Sequence, residues 1–262
     1  MITLKDIVEN KRREVDELKK NKPLDKLARG SEIRDFKSAL KLGEKNRINI
    51  ISEIKLSSPR EDLNRDADPC EIARLYEKSK ASAISVLTDK KYFGGDIRFL
   101  PEVKKCTTKP ILRKDFIIDE YQIFEAFFYG ADAVLLIASI LTDDEIKNFV
   151  KIVGELKMDF LVECHTKEEV ERLNKINNEI NDAIEIYGVN NRNLKTMKID
   201  LNTTKELIKI IPEGKVIVSE SGIKNKEDIK FLKNLGVDAA LIGTSIMLSD
   251  DIVKKIDELV SD

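Results

Sequence analysis

The chain has 262 residues, 46 Lys and Arg against 48 Asp and Glu, and a net charge of −2. Both signs alternate along it, without the basic block that tracks nucleic acid and without an acidic tail. Met1 to Lys11 lacks an apolar signal core and no run of about 18 apolar residues occurs, so neither a membrane span nor a membrane partner is expected.

Charged residues make up 36% of the chain. That composition fits the ion-pair-laced surface common in thermophiles, and equally a Lys-, Ile- and Asn-rich genome bias. Cys70, Cys106 and Cys164 are widely spaced, odd in number and without a Cys-x-x-Cys pair. Neither a disulfide framework nor a zinc knuckle is supported, and a reducing, cytoplasmic setting fits best. His165 is the only histidine, which removes His-based triads and multi-His metal sites. Proton transfer then falls to Lys and Glu, with no metal.

In chain order, Leu4, Ile7, Val8, Val15 and Leu18 recur at helical spacing and predict a surface-packed helix over Leu4–Lys20, placed to lid one end of the main domain. Eight apolar, β-rich runs come next: Ile48–Ile54, Ala83–Leu87, Pro110–Leu112, Ala133–Ile137, Phe160–Val162, Ile184–Val189, Val216–Val218 and Ala239–Ile242. Between and after them lie amphipathic helical patterns at Pro69–Ser79, Ile97–Lys105, Glu120–Tyr129, Asp143–Leu156, Lys167–Ile176, Thr203–Ile210, Lys226–Leu235 and Asp250–Leu259. Thr142 and Asn225 are plausible N-caps, and Gly130 and Gly236 plausible C-cap glycines.

Such alternation means a parallel sheet, and eight βα units in this length favour closure into a single (β/α)8 TIM barrel over an open doubly wound sheet. An α/β fold results, with residues 1–45 as an N-terminal helical extension packing on the barrel and 46–262 as the catalytic barrel. Gly130-Ala131-Asp132-Ala133 and Gly236-Val237-Asp238-Ala239 form an internal echo ahead of the fourth and eighth strands, as a doubled half-barrel would place them.

In a barrel of this kind the active site is built at the C-terminal ends of the strands. Those positions are Glu53, Lys55, Thr88, Lys114, Ser139, Glu163, Asn190, Glu220, Ser221, Gly243 and Thr244, almost all polar, whereas the opposite loops offer mainly caps and surface charge. The chain therefore reads as an enzyme. Glu53 and Lys55, two apart on a strand, share a face, as a working pair or as an inert salt bridge. Desolvation should lower the pKa of Lys114 and suit it to general-acid work, although a structural pairing with Asp115 or Glu163 would also account for it. Asn190, Asn191 and Arg192 could orient a hydroxyl and grip a carboxylate, or form a polar turn. Ser219 to Ile223 and Gly243 to Ser245 follow the two strands where this fold commonly holds a phosphate. Tyr92-Phe93-Gly94-Gly95 reads as a mobile aromatic loop, and His165 as a loop or core histidine.

Together these segments resemble the indole-3-glycerol phosphate synthase family of tryptophan biosynthesis through the whole barrel. They run Ser52-Glu53-Ile54-Lys55 with Ser57-Ser58-Pro59, Leu87-Thr88 with Tyr92 to Gly95, Leu112 to Ile117, Asp132 to Ile137, Val162-Glu163, Gly188 to Leu194, Ser219 to Ile223, and Leu241 to Ser245. The resemblance implies cyclisation, decarboxylation and dehydration of a small phosphorylated substrate, without cofactor. It implies Lys114 as general acid, with Glu163, Glu53 and Lys55 in the later proton transfers and Asn190, Glu220 and Ser221 orienting substrate. By the same resemblance Phe93, Phe116 and Leu135 would wall the anthranilate ring, with Arg192 near its carboxylate and Ser58, Gly222, Gly243 and Thr244 at the phosphate.

One departure stands out: Ser58-Pro59 is followed by Arg60-Glu61-Asp62, where many members have Ser-Lys-Gly, and Leu56 stands where a basic residue is frequent. The competing readings are an isomerase or lyase of another phosphorylated sugar, and a non-catalytic phosphate-binding barrel. A monomer or weak homo-oligomer is expected.

Overall fold

Eight short strands, none longer than six residues, carry the architecture of the computed structural model, which describes residues 3–22, 24, 30–41, 47–57, 67–194 and 196–261. Two helices come first, α1 (Leu4–Asn21) and α2 (Phe36–Leu40). The first half then runs β1 (Asn49–Ile54), α3 (Pro69–Lys78), β2 (Ala83–Leu87), α4 (Lys90–Phe93), α5 (Phe99–Cys106), β3 (Ile111–Lys114), α6 (Glu120–Phe128), β4 (Ala133–Ile137) and α7 (Asp143–Glu155). The second half runs β5 (Asp159–Cys164), α8 (Lys167–Glu179), β6 (Ile186–Asn190), α9 (Asn202–Leu207), β7 (Val216–Glu220), α10 (Lys226–Asn234), β8 (Ala239–Ile242), α11 (Thr244–Met247) and α12 (Ile252–Leu259).

All neighbouring strands pair in parallel and β8 returns to β1, so the sheet is a closed eight-stranded barrel. Its N-caps follow the sequence expectation: Thr142 and Asn225 each form a reciprocal capping box with the third helical residue.

The period of two along each strand explains both core and site. Ile51, Leu112, Leu135, Leu161, Ile186, Val218 and Leu241 pack inside the barrel. Two residues further along six of those strands stand Glu53, Lys114, Glu163, Gly188, Glu220 and Gly243. Residues of the other parity, such as Ile50, Ile84, Val134 and Val162, join a larger core with the outer helices.

The opposite end of the barrel is closed by α2, an element absent from the sequence expectation. Phe36 and Leu40 are fully buried within the inner cluster. The Lys37 backbone N–H donates to Asp159 at 2.9 Å, and the Asn49 side chain donates to the carbonyls of Leu40 and Lys41 at 3.0 and 2.8 Å. Asp159 and Asn49 begin β5 and β1, so this plug is laced to the strand starts.

The internal echo has a physical meaning. Asp132 and Asp238 each accept the N–H near the start of the preceding strand, Ile111 and Ile217, at 2.8 Å in both cases. Their carbonyls accept from Asp159 and Asn49, the first residues of the following strands, both at 2.9 Å.

One expectation is corrected. Cys70, in the first turn of α3, and Cys106, at the end of α5, form a disulfide with a Cα–Cα distance of 5.6 Å, leaving Cys164 as the free, buried thiol. The two helices pack side by side, an adjacency that the 36 residues separating the cysteines conceal.

Candidate active site

At the C-terminal end of the barrel lies a cavity of about 910 Å³. Every described residue to which the family resemblance gave a role lines it: Glu53, Lys55, Phe93, Lys114, Phe116, Leu135, Glu163, Asn190, Arg192, Glu220, Ser221, Gly222, Gly243 and Thr244. Ser58 and the Arg60-Glu61-Asp62 departure lie outside the described residues. Thr88, Ser139 and Asn191 do not reach the cavity. Thr88 instead donates to Asp115 at 2.6 Å and accepts from Arg113, while Asn191 is a buried strut bonded to Ser219 and Thr204.

Lys114 is held between two carboxylates, with Nζ 2.7 Å from Oε2 of Glu220 and 3.2 Å from Oε2 of Glu163. Burial pulls its pKa down, but Glu220, Glu163 and Glu53 outweigh that and raise it, so the expected lowering is overturned. Burial likewise pushes Glu163 up, and Lys114, His165 and Asn190 reverse this and hold it well below the usual carboxylate range. Glu220 keeps the upward push of burial against the pull of Lys114 and reaches about 7. The cluster thus holds an ammonium, a carboxylate whose pKa is depressed and a carboxyl whose pKa is raised above the usual carboxylate range.

A buried network beneath the β3 strand end fixes Lys114 in place. The Arg113 guanidinium, pointing outward, donates to Gln122 O at 2.6 Å and pairs with Asp115 at 3.1 Å and Glu125 at 2.9 Å. Lys11 of α1 reaches the same network, 2.8 Å from Asp89 and 3.0 Å from Asp115. Through that anchor α1 lies against the cavity, and its Leu4 and Ile7 join the lining.

Across the barrel, Lys55 donates to the Thr244 hydroxyl at 2.9 Å and stands 3.6 Å from Glu53. After β7, Ser221 and Gly222 both take left-handed φ angles, +69° and +85°. A Cβ on Gly222 would lie 2.4 Å from Ile199 Cγ2, so a side chain at this left-handed position would have to displace Ile199. Phe93 and Phe116 face each other with ring centroids 6.0 Å apart. The segment around Phe93 is the helical turn α4, capped by Asp89 and closed by Gly94, rather than a loop.

A sequence profile of the indole-3-glycerol phosphate synthase family matches residues 4–259. The chain belongs to that family. Among curated indole-3-glycerol phosphate synthases, that of Caldanaerobacter subterraneus subsp. tengcongensis is 48% identical over 95% of this chain and 94% of its own. The one from Legionella pneumophila is 42% identical over 99% and 98%. Among solved structures, 3-hexulose-6-phosphate synthase from Salmonella typhimurium superimposes with a TM-score of 0.61 at 14% identity, covering 81% of this chain and 96% of that one, a likeness of fold alone.

Several lining residues carry no role in the indole-3-glycerol phosphate synthase pattern as read from the sequence. Leu87, Ile137 and Leu241 line the cavity as the apolar ends of strands, and Met197, Ile199 and Leu248 as residues of loops and short turns. Only the alternation along β2, β4 and β8 could have flagged the first three. His165 lies in the β5–α8 loop, as expected, but its side chain is buried directly behind Glu163, with Nε2 3.1 Å from Oε1.

Proposed function

We propose that the chain converts 1-(2-carboxyphenylamino)-1-deoxyribulose 5-phosphate to indole-3-glycerol phosphate, carbon dioxide and water, with no cofactor or metal. The observation that carries this reading is the Lys114 ammonium held between Glu163 and Glu220 in a cavity that also presents an aromatic wall and small-residue turns.

The aryl carbon bearing the carboxylate attacks the ribulose carbonyl carbon, and the carbonyl oxygen takes a proton from Lys114 as the C–C bond forms. A developing alkoxide is more basic than an ordinary lysine amine, and the fixed ammonium stabilises the oxygen before the proton moves. Breakage of the bond to the carboxylate then releases carbon dioxide, and its electron pair restores the aromatic ring. Dehydration needs a proton for the departing hydroxyl and a base for the proton lost from the neighbouring carbon. Glu163, Glu53 and Lys55 serve those two tasks.

Asn190, Glu220 and Ser221 orient the substrate hydroxyls in this proposal, and Phe93, Phe116 and Leu135 wall the ring. Arg192 takes the carboxylate, and Gly222, Gly243 and Thr244 receive the phosphate with Ser58. A cytoplasmic setting, action as a monomer or weak homo-oligomer and no nucleic-acid partner belong to the same proposal. Among the described residues no helix is long and apolar enough to cross a membrane. The Cys70–Cys106 bond is compatible with that setting, since intracellular disulfides occur in heat-adapted organisms.

The test is the appearance of indole fluorescence when purified protein meets the carboxyphenylamino substrate. The chain contains no Trp, so the background is low. Absence of emission together with unchanged substrate on chromatography would exclude the reaction.

A further inference from the structure

The histidine behind Glu163 has no place in the proposed chemistry, yet it is built into the site. Its ring is 5% exposed and does not line the cavity. Nε2 lies 3.1 Å from Oε1 of Glu163, in an ionic contact rather than a well-aligned hydrogen bond. On its other side Nδ1 lies 3.4 Å from Oε2 of Glu169, and the His165 backbone N–H donates to the same oxygen at 2.6 Å.

Glu169 reaches this position by a modified helix cap. Thr166 is the N-cap of α8 and its hydroxyl accepts from the Glu169 N–H at 3.2 Å, as in a capping box. The reciprocal half of the box is diverted: the Glu169 carboxylate turns to the backbone and ring of His165 instead.

We propose that His165 is a positioning residue: clamped by Glu169, its imidazolium engages Oε1 of Glu163 so that Oε2 stays directed at Lys114 and the substrate. This rests on the reading of Glu163 as a proton-transfer group. Burial pulls the pKa of His165 down, and Glu163 and Glu169 outweigh it and raise it to about 10, so the ring stays charged across the neutral range. Glu163 is also faced by Lys114 from β3, Asn190 from β6 and Glu220 from β7. The Ala138–Ile140 turn packed on β5 brings no charge, and Arg172 of α8 is engaged by Asp143 and by the carbonyls of Ala138 and Leu141.

The function of the clamp follows from geometry. Without the clamp the carboxylate could swing and carry its oxygen off the line to Lys114 and the substrate, and a misplacement of about 1 Å in a reacting group costs up to about a hundredfold in rate. Removing the imidazolium also makes Glu163 harder to ionise.

Because His165 is the only histidine, one imidazole resonance in full-length protein reports it alone. The ring should remain charged beyond pH 8, and Glu169→Gln and Glu163→Gln should each move its titration midpoint down by more than about one pH unit. His165→Asn should lower kcat by about tenfold or more with KM within about threefold, and shift the acidic limb of the kcat profile to higher pH.

A ring that titrates near its ordinary 6.5, or that ignores Glu163→Gln, would overturn the clamp. So would His165→Asn with parental kcat and an unmoved acidic limb. If His165→Asn fails to fold, the two single-atom exchanges still decide by resonance alone. A parent protein without turnover would sink the reaction assignment, and the imidazole titration would still decide the clamp.

Discussion

Lys114 keeps its proton because Glu220 and Glu163 face it at 2.7 and 3.2 Å, and that arrangement sets what its loss would do. Lys114→Met removes the acid and leaves two buried carboxyls facing each other. We expect kcat to fall by about 10²–10⁴-fold with KM within about tenfold, since general acid catalysis acts in the transition state. Steady-state fluorescence kinetics check this, and near-parental turnover would remove Lys114 from the role. A second residue-scale prediction concerns Gly243. A Cβ there would lie 2.5 Å from Oε1 of Glu53 and 3.2 Å from its Cβ, so Gly243→Ala must displace Glu53 from its place beside Lys55. The expected result is a kcat lowered by about tenfold with an unchanged circular dichroism spectrum. A variant with parental kcat would mean that Glu53 is not needed where it stands.

At the scale of elements, α1 sends one buried charge into the barrel, beside surface links such as Lys19 to Asp119 at 2.6 Å. Lys11 is 4% exposed and pairs with Asp89, Asp115 and Glu14. Burial pulls its pKa down, but Asp115 and Asp89 more than compensate and raise it. Asp115 retains Arg113, whereas Lys11 is the cation that answers Asp89. Lys11→Met should therefore cost about 3–5 kcal/mol, the range for stripping one partner from a buried pair. Urea denaturation would show this, and adding Asp89→Asn should return part of the loss. Because Leu4 and Ile7 of the same helix line the cavity, KM should rise in the single variant. A stability within 1 kcal/mol of the parent, taken as about the worth of an exposed pair, would refute the anchor. The helix itself was legible from its apolar spacing. Its anchor was not, since Asp89 and Asp115 lie more than seventy positions away and nothing local marks them.

For the molecule as a whole, the Cys70–Cys106 bond ties α3 to α5 on the outer ring, and neither cysteine lines the cavity. Closing a loop of 36 residues restricts the unfolded chain, worth about 4 kcal/mol on the chain-entropy account. Cys70→Ser should lower the denaturation midpoint accordingly and leave kcat and KM unchanged. Thiol titration in denaturant should count one free thiol without reductant and three after reduction; three without reductant would mean that the bond does not form. The closed sheet also explains why the internal echo recurs half a barrel apart. Asp132 and Asp238 perform the same task, each accepting from the preceding strand while its backbone carbonyl receives the next.

The sequence by itself determined the alternation of strands and helices, the helix caps, and the set of polar residues at strand ends. These features arise from local rules: a period of two in strands, a period of 3.6 in helices, and the short-range chemistry of caps. Glu53, Lys114, Glu163 and Glu220 were legible because each ends an apolar run whose inward parity points to the barrel mouth. Tertiary structure alone decided the rest. The five-residue α2 is too short for periodicity to reveal, and it exists because Phe36 and Leu40 fill the open end of the barrel. The Lys114 pKa moves up rather than down because closure brings carboxylates from β5 and β7 to a residue of β3. Cys70 with Cys106, Lys11 with Asp89, and His165 with Glu163 are pairs whose meaning lies in distance and burial. Electrostatic and covalent partners depend on where the chain closes in space, and a one-dimensional pattern carries only the part of that information that repeats.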